Sequence, residues 1–231
     1  KLNLECKSLI GLIKENSMKI TKFQHSCVLV EDERHVALFD PGEFARESGL
    51  LNIGDLPRLD FILITHEHFD HYDEKLIKQI LEKFPNVKFY TNRSVAKMLK
   101  ELGVTSIATE SDDFVELWSL KHQSMAPLAP LPMCDNVEIH YKGLISHPGD
   151  SHQLQATKDI LFLPLAGPWG AAIDGVRMAD KLKPKYILPV HDWMWNDTWR
   201  TSMYDRIEAY FANQNIKVLK PVDGQTIELE I

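Results

Sequence analysis

The chain is short of paired cysteines, long apolar runs and concentrated positive charge, and each shortage removes a class of function. Its three cysteines, Cys6, Cys27 and Cys134, are odd in number, far apart and without a Cys-x-x-Cys spacing. Neither a disulfide framework nor a thiolate zinc knuckle is therefore suggested, and a reducing cytoplasm is the expected setting. No stretch approaches the roughly 18 to 20 apolar residues that a membrane helix needs, and the run from Leu9 to Ile13 is too short for a secretory segment. A soluble protein without a membrane partner is expected. Lys and Arg are scattered evenly and the formal net charge is -7, so the cationic face that nucleic acid requires is not expected either. A small-molecule substrate remains as the expected partner, and the sequence does not speak to the oligomeric state.

What the chain does have is enough apolar material for a core: 44% of 231 residues, the proportion of an ordinary globular protein. Met18 opens a strand-like stretch. Residues 1–17 accordingly read as an N-terminal extension, native or added for expression, and residues 18–231 as a single domain. Strands are expected over Ile20 to Glu31 and His35 to Phe39, joined by the charged turn Glu31-Asp32-Glu33-Arg34. Phe61 to Thr65 is almost wholly apolar and β-branched, as a strand covered on both faces would be. Leu76, Ile77, Ile80, Leu81 and Phe84 follow helical spacing behind a capping Asp73. A second unit follows, with strand over Val87 to Tyr90 and helix over Ser94 to Leu102 closed by Gly103.

Further strands are expected near Phe114 to Lys121, Val137 to His140, Leu144 to His147, Ile160 to Pro164, Tyr186 to Pro189 and Thr226 to Ile231. Helices are expected over Ala172 to Leu182 and Asp205 to Asn213. Several neighbours are joined too tightly for parallel crossovers, so the sheets should be mixed.

The strongest chemical signal is Thr65-His66-Glu67-His68-Phe69-Asp70-His71, where four ligand-type side chains fall within six positions between a strand and a helix. His66 and His68, two residues apart on extended chain, point the same way and can grip one ion; Asp70 and His71, at the turn, can grip another. Imidazole nitrogen and carboxylate oxygen suit zinc, manganese or iron, and no cysteine stands near in sequence to suggest a purely structural site.

This run resembles the His-x-His-x-Asp-His signature of the metallo-β-lactamase superfamily, and the resemblance continues in order along nearly the whole chain from Met18. His122 in Leu120-Lys121-His122-Gln123-Ser124, Asp150 in Gly149-Asp150-Ser151 and His191 in Leu188-Pro189-Val190-His191 stand where the family places its later ligands. The resemblance implies an α/β fold, a four-layer αββα sandwich of two mixed β-sheets with helices on both outer faces. It implies two divalent metal ions, Zn2+ first, with Mn2+ or Fe2+ as alternatives. His66, His68 and His122 would hold one ion, Asp70, His71 and His191 the other, and Asp150 would be shared. Asp40 in Phe39-Asp40-Pro41-Gly42 matches a supporting aspartate of the family and is not expected to be a ligand.

Two ions roughly 3.5 to 4 Å apart can share a water, bring its pKa down to about 7 and polarise the oxygen under attack. The expected function is metal-dependent hydrolysis of a lactone, ester or phosphoester of a small molecule by a bridging hydroxide, with Asp70 orienting the water. His25 in Gln24-His25-Ser26-Cys27 resembles an element of the branch that contains ascorbate-6-phosphate lactonases and N-acyl-phosphatidylethanolamine phospholipases, and is a candidate substrate contact. The alternatives are a non-catalytic metal-binding scaffold and a phosphodiesterase or nuclease of the same superfamily. His35, His140, His147 and His152 are read as structural, His147 being the one nearest Asp150 in sequence. Trp169, Trp193, Trp195 and Trp199 either wall a pocket or pack; Arg177 and Lys181 are read as solvated.

Overall fold

The structure, a computed structural model, describes residues 17–128 and 133–231. The chain runs β1 (Ser17–Gln24), β2 (Cys27–Glu31), β3 (Val36–Phe39), α1 (Glu43–Ser48), β4 (Phe61–Ile64), α2 (Glu74–Lys83), β5 (Lys88–Thr91), α3 (Arg93–Glu101) and β6 (Ile107–Ala108). It continues with β7 (Val115–Ser119), β8 (Val137–Tyr141), β9 (Ile145–His147), β10 (Ile160–Pro164), α4 (Ala172–Leu182), β11 (Tyr186–Val190), α5 (Asp197–Phe211), β12 (Lys217–Val218) and β13 (Thr226–Glu230). Two sheets result, one of seven strands ordered β13-β1-β2-β3-β4-β5-β6 and one of six ordered β12-β11-β10-β9-β8-β7. Both are mixed: pairing is antiparallel from β13 to β3 and parallel from β3 to β6, then antiparallel from β7 to β9 and parallel from β9 to β12.

Strand alternation explains the layers. In β4, Ile62 and Ile64 face a core shared with Leu76, Ile77 and Ile80 of α2 and with Val95 and Leu99 of α3. Phe61 and Leu63 face the opposite way, into the space between the sheets, where they meet Ile139, Ile160, Phe162 and Leu188. In β10 the same division sends Leu161 and Leu163 outward to Met178 of α4 and to Ile207 and Phe211 of α5. A strand buried on both faces must be apolar at every position, and Phe61–Ile64 is. Each such side chain contributes about 1.5–3 kcal/mol by leaving water. The outcome is the expected αββα sandwich.

Two local expectations are corrected. Ile20 to Glu31 is not one strand: it turns at His25 and Ser26, with His25 at φ 56°, and β1 pairs back on β2. Apolar residues continue through Val28–Val30 on doubly buried chain, so no change of pattern marks the break. The last helix begins at Asp197 rather than Asp205, capped by Asn196, whose side chain accepts from the Trp199 amide at 2.9 Å. Its first two turns carry polar residues on several faces, which hides the helical period. Ser17 and Met18 both belong to β1, Ser17 lying opposite Glu230. The rest of the expected N-terminal extension, with Cys6, lies outside the described residues, among which no helix is long and apolar enough to cross a membrane.

Candidate metal centre

β4 delivers the His66–His71 run to one edge of the sandwich, and hydrogen bonds from its first residue fix where it starts. The Thr65 amide donates to Asp40 Oδ1 at 2.8 Å and the Thr65 hydroxyl donates to Asp40 Oδ2 at 2.9 Å, tying the end of β4 to the end of β3. The His71 and Tyr72 amides both donate to the His68 carbonyl, at 2.9 and 2.8 Å, and this tight turn re-aims Asp70 and His71. Gly42 lets the chain after β3 lie flush against the turn, because a Cβ there would overlap the Asp70 carbonyl.

The distant residues arrive on other strand ends. His122 follows β7, Asp150 follows β9, and the Gln123 amide donates to the Asp150 carbonyl at 2.7 Å, joining the two loops. Gly149, at φ 58°, makes the approach possible: a Cβ there would stand 2.9 Å from Thr65 Cβ. His191 ends β11 at φ 57°, its amide donating to the His25 carbonyl at 3.2 Å. The structure thus brings together all seven side chains singled out in the sequence.

Their nitrogens divide by task. In each of five imidazoles one nitrogen is held by a neighbour: His66 Nδ1 by Thr65 Oγ1 at 3.0 Å, His71 Nδ1 by Asp40 Oδ2 at 2.7 Å, and His122 Nδ1 by the Gln123 carbonyl at 2.6 Å. His191 Nδ1 is held by the Ala166 carbonyl at 2.5 Å and His68 Nε2 by Cys134 Sγ at 3.4 Å. The remaining nitrogens of His66, His71, His122 and His191 converge on Asp150. Its Oδ2 lies 3.8 Å from His66 Nε2 and 3.5 Å from His122 Nε2, and His66 Nε2 is 3.1 Å from His68 Nδ1. Its Oδ1 lies 3.1 Å from both His71 Nε2 and His191 Nε2, while Asp70 Oδ2 is 3.5 Å from His191 Nε2 and 3.9 Å from His71 Nε2.

His71 Nε2, His122 Nε2, His191 Nε2 and Asp150 Oδ1 are buried without a hydrogen-bond partner. Unpaired buried polar atoms are costly, and four converging on one place fit a cation. A tetrahedron of ligands with bonds of about 2.0–2.1 Å has edges of about 3.4 Å, close to the separations found. The residues present therefore fit a bound metal cation.

Residues 19–191 match the family model described as the Beta-lactamase superfamily domain. The chain belongs to the metallo-β-lactamase superfamily. It is 29% identical over 185 residues to a Mycobacterium tuberculosis protein, covering 75% of this chain and 84% of that one. It is 25% identical over 197 residues to a UPF0173 metal-dependent hydrolase of Nanoarchaeum equitans, covering 77% and 85%. Among solved structures, a metallo hydrolase from the archaeon Ignicoccus hospitalis superposes with a TM-score of 0.67 at 18% identity, over 93% of this chain and 99% of that one.

In this superfamily member the charge balance of the site is set by burial against close pairing. Burial alone would raise Asp150 and Asp70, but His191 and His71 beside them hold both carboxyls well below the usual range. Burial alone would lower His71 and His191, yet Asp150, with Asp40 and Asp70 on His71, raises His71 well above 6.5 and His191 to about 9. His66 is pushed the other way by burial and by His71. Metal ions at this place would displace whatever protons these imidazoles hold, because an imidazole ligand is neutral. A raised folded pKa gives stability that is complete below the unfolded value of about 6.5 and is lost as pH rises through the folded one. The urea midpoint of chelator-treated protein is expected to fall between pH 6.5 and about 9; a flat or rising midpoint over that window would contradict these shifts.

Other assignments change in detail. His25 lies within the second group: its Nε2 is 3.1 Å from Asp70 Oδ2 and its ring centroid 3.8 Å from that of His191. Burial and His191 lower it to about 3, so it is neutral near pH 7. Asp40 is fully buried and His147 Nε2 stands 2.6 Å from its Oδ2, which places His147 behind His71 rather than in an unrelated role. His35 stacks on Phe61, His140 pairs with Glu138, and His152 donates to the Pro164 carbonyl. Trp169 and Trp193 line the cleft over the centre; Trp195 packs against the outer core and Trp199 is exposed. Cys134, distant in sequence, stands near in space: it joins His66, His68 and His122 in one group of ligand-type atoms. No local motif could reveal it, because the contact spans 66 positions and is made by tertiary packing.

Proposed function

We propose that the protein is a metal-dependent hydrolase in which His66, His68 and His122 would hold one divalent ion, Asp70, His71 and His191 would hold a second, and Asp150 would serve both groups. The division of the Asp150 carboxylate, one oxygen toward each group of imidazoles, carries this reading. When bound, such a pair would lower the pKa of a shared water toward about 7 and polarise a carbonyl or phosphoryl oxygen. Nitrogen and oxygen donors suit zinc, with manganese and iron(II) as alternatives.

The chain's own residues do the positioning. Asp70 Oδ2 faces His71 and His191 on one side and His25 on the other, so it can orient the attacking water by accepting a hydrogen bond from it. Neutral His25 donates one N–H to that oxygen and keeps it aimed. Asp40 accepts from His71 Nδ1 and so presents Nε2 inward, the usual arrangement behind a ligand histidine. The substrate is a lactone, ester or phosphoester of a small molecule. The described cysteines, Cys27 and Cys134, are free thiols, which suits the cytoplasm.

Chelator-treated protein, reloaded with Zn2+, Mn2+ or Fe2+ and offered lactones, carboxylic esters, phosphodiesters and thioesters, tests the reading. Turnover that vanishes on chelation and returns with metal supports it; tight metal without turnover of any member would favour the scaffold. A narrower prediction concerns Cys134. Loss of a partner behind a ligand histidine typically costs about 10–100-fold in metal affinity. Cys134→Ala is expected to weaken one ion of the pair to that extent in a chelator-competition titration, and Cys134→Ser to restore most of it. An unchanged affinity in the alanine variant would show that His68 needs no such support.

A further inference from the structure

The cleft over the candidate centre, ≈ 260 Å³ in volume, is lined by His68, Asp70, Asp150 and His191, which carry proposed ligand atoms, and otherwise by apolar side chains. These are Phe69, Met125, Pro168, Trp169, Trp193 and Met194; no Lys, Arg, Ser or Thr is among the described residues that line it. Three of the six are exposed to an extent unusual for their size, Phe69 at 57%, Met194 at 47% and Trp193 at 41%. Clustered exposed apolar surface at the mouth of a site is a mark of ligand binding. The wall is also braced: Phe44 stacks on Trp193 at 4.0 Å between centroids and meets Phe69 edge-on at 5.5 Å.

Trp193 continues into a neighbouring cleft that does contain cations, but these are committed. Lys220 pairs with Asp205 and Glu208, and Arg200 pairs with Asp197 and Asp223. A phosphate or sugar-phosphate tail leaving along either of these two clefts would meet no positive side chain without a carboxylate partner among the described residues; Lys121 lines a separate cleft, the one that holds His122 and Cys134. An apolar chain would find aromatic and thioether surface.

Resting on the hydrolytic reading above, we infer that the substrate is an uncharged carboxylic ester or lactone whose reacting carbonyl sits at Asp70 and Asp150 and whose hydrocarbon chain lies along Phe69, Trp193 and Met194. In the reaction the water oxygen joins the acyl carbon and the acyl C–O bond breaks. One water proton goes to the departing alkoxide, and the acid formed releases its own to solvent. Phosphoesters are poor substrates, because no described residue lining this cleft is a Lys or Arg that could meet their charge.

The test uses the metal-loaded full chain and has a readout independent of turnover. Straight-chain carboxylates from acetate to octanoate, the products of such esters, are titrated calorimetrically beside inorganic phosphate. Affinity is expected to rise up to about fourfold per added methylene, as burial of a CH₂ predicts, with phosphate binding no tighter than acetate. Phe69→Ala combined with Trp193→Ala should flatten that slope. The p-nitrophenyl esters of the same acids should show a parallel rise in kcat/KM and outpace bis-p-nitrophenyl phosphate. Affinity indifferent to chain length, or phosphate binding tighter than octanoate, overturns the inference. A steep binding slope without hydrolysis of any ester would instead overturn the hydrolytic reading, and phosphodiester turnover with a flat slope would spare that reading while removing the apolar substrate.

Discussion

Asp150→Ala should abolish hydrolysis, by on the order of 10³-fold or more, and bring the metal content below one ion per chain. Losing a partner behind a ligand already costs about 10–100-fold, and Asp150 is a more central group. Its two oxygens stand within 3.1–3.8 Å of nitrogens from four histidines, two on each side. It is also the buried anion that His191 and His71 hold ionised against the cost of burial. Without it both groups lose a donor, and His71 and His191 lose the carboxylate oxygen 3.1 Å from each. His66→Ala or Asp70→Ala removes a donor from one group only, so hydrolysis is lost while one ion can remain. Circular dichroism should show the fold intact in all three, since the sheets are held by cores that Asp150 does not enter. Retention of two ions and of parental activity in Asp150→Ala would remove the bridging role.

The second large effect is on stability. Lys22 and Asp192 have fully buried side chains 2.6 Å apart, joined by the Tyr204 hydroxyl, which donates to Asp192, and by Arg200 at 3.4 Å. Asp192→Ala leaves the Lys22 ammonium with only Asp223, 3.6 Å away, as a counter-charge. Breaking one side of a buried pair costs about 3–5 kcal/mol, a large part of the roughly 5–15 kcal/mol that holds a typical domain together. The urea midpoint should drop accordingly with the slope unchanged. Lys22→Met should cost less, because Asp192 keeps Tyr204 and Arg200. Equal midpoints for wild type and Asp192→Ala would mean that water reaches Lys22. The network also ties β1, which ends beside His25, to the residue after His191, so its loss should loosen the second group of ligands.

Some of this was readable from the residues alone. His66, His68, Asp70 and His71 are close enough in sequence for strand and turn geometry to suggest how they divide. His122, Asp150 and His191 are single residues on separate loops, and only the resemblance to a known family singled them out. The supporting groups were harder to see. Cys134 meets His68 across the fold, and His147 reaches Asp40 from a different sheet. The break at His25 was hidden because a doubly buried strand shows no alternation, and the start of α5 because Trp199, Arg200 and Thr201 give no apolar stripe. Helices with a clear stripe, such as α2 with its Asp73 cap, were read nearly to the residue.

The central claim is a pair of ions joined by one carboxylate. Crystals of metal-loaded protein, measured at an absorption edge of the bound metal, test it most directly. Two anomalous peaks are expected, one among His66, His68 and His122 and one among Asp70, His71 and His191, with Asp150 touching both. A single peak, or two peaks neither of which Asp150 reaches, would contradict it.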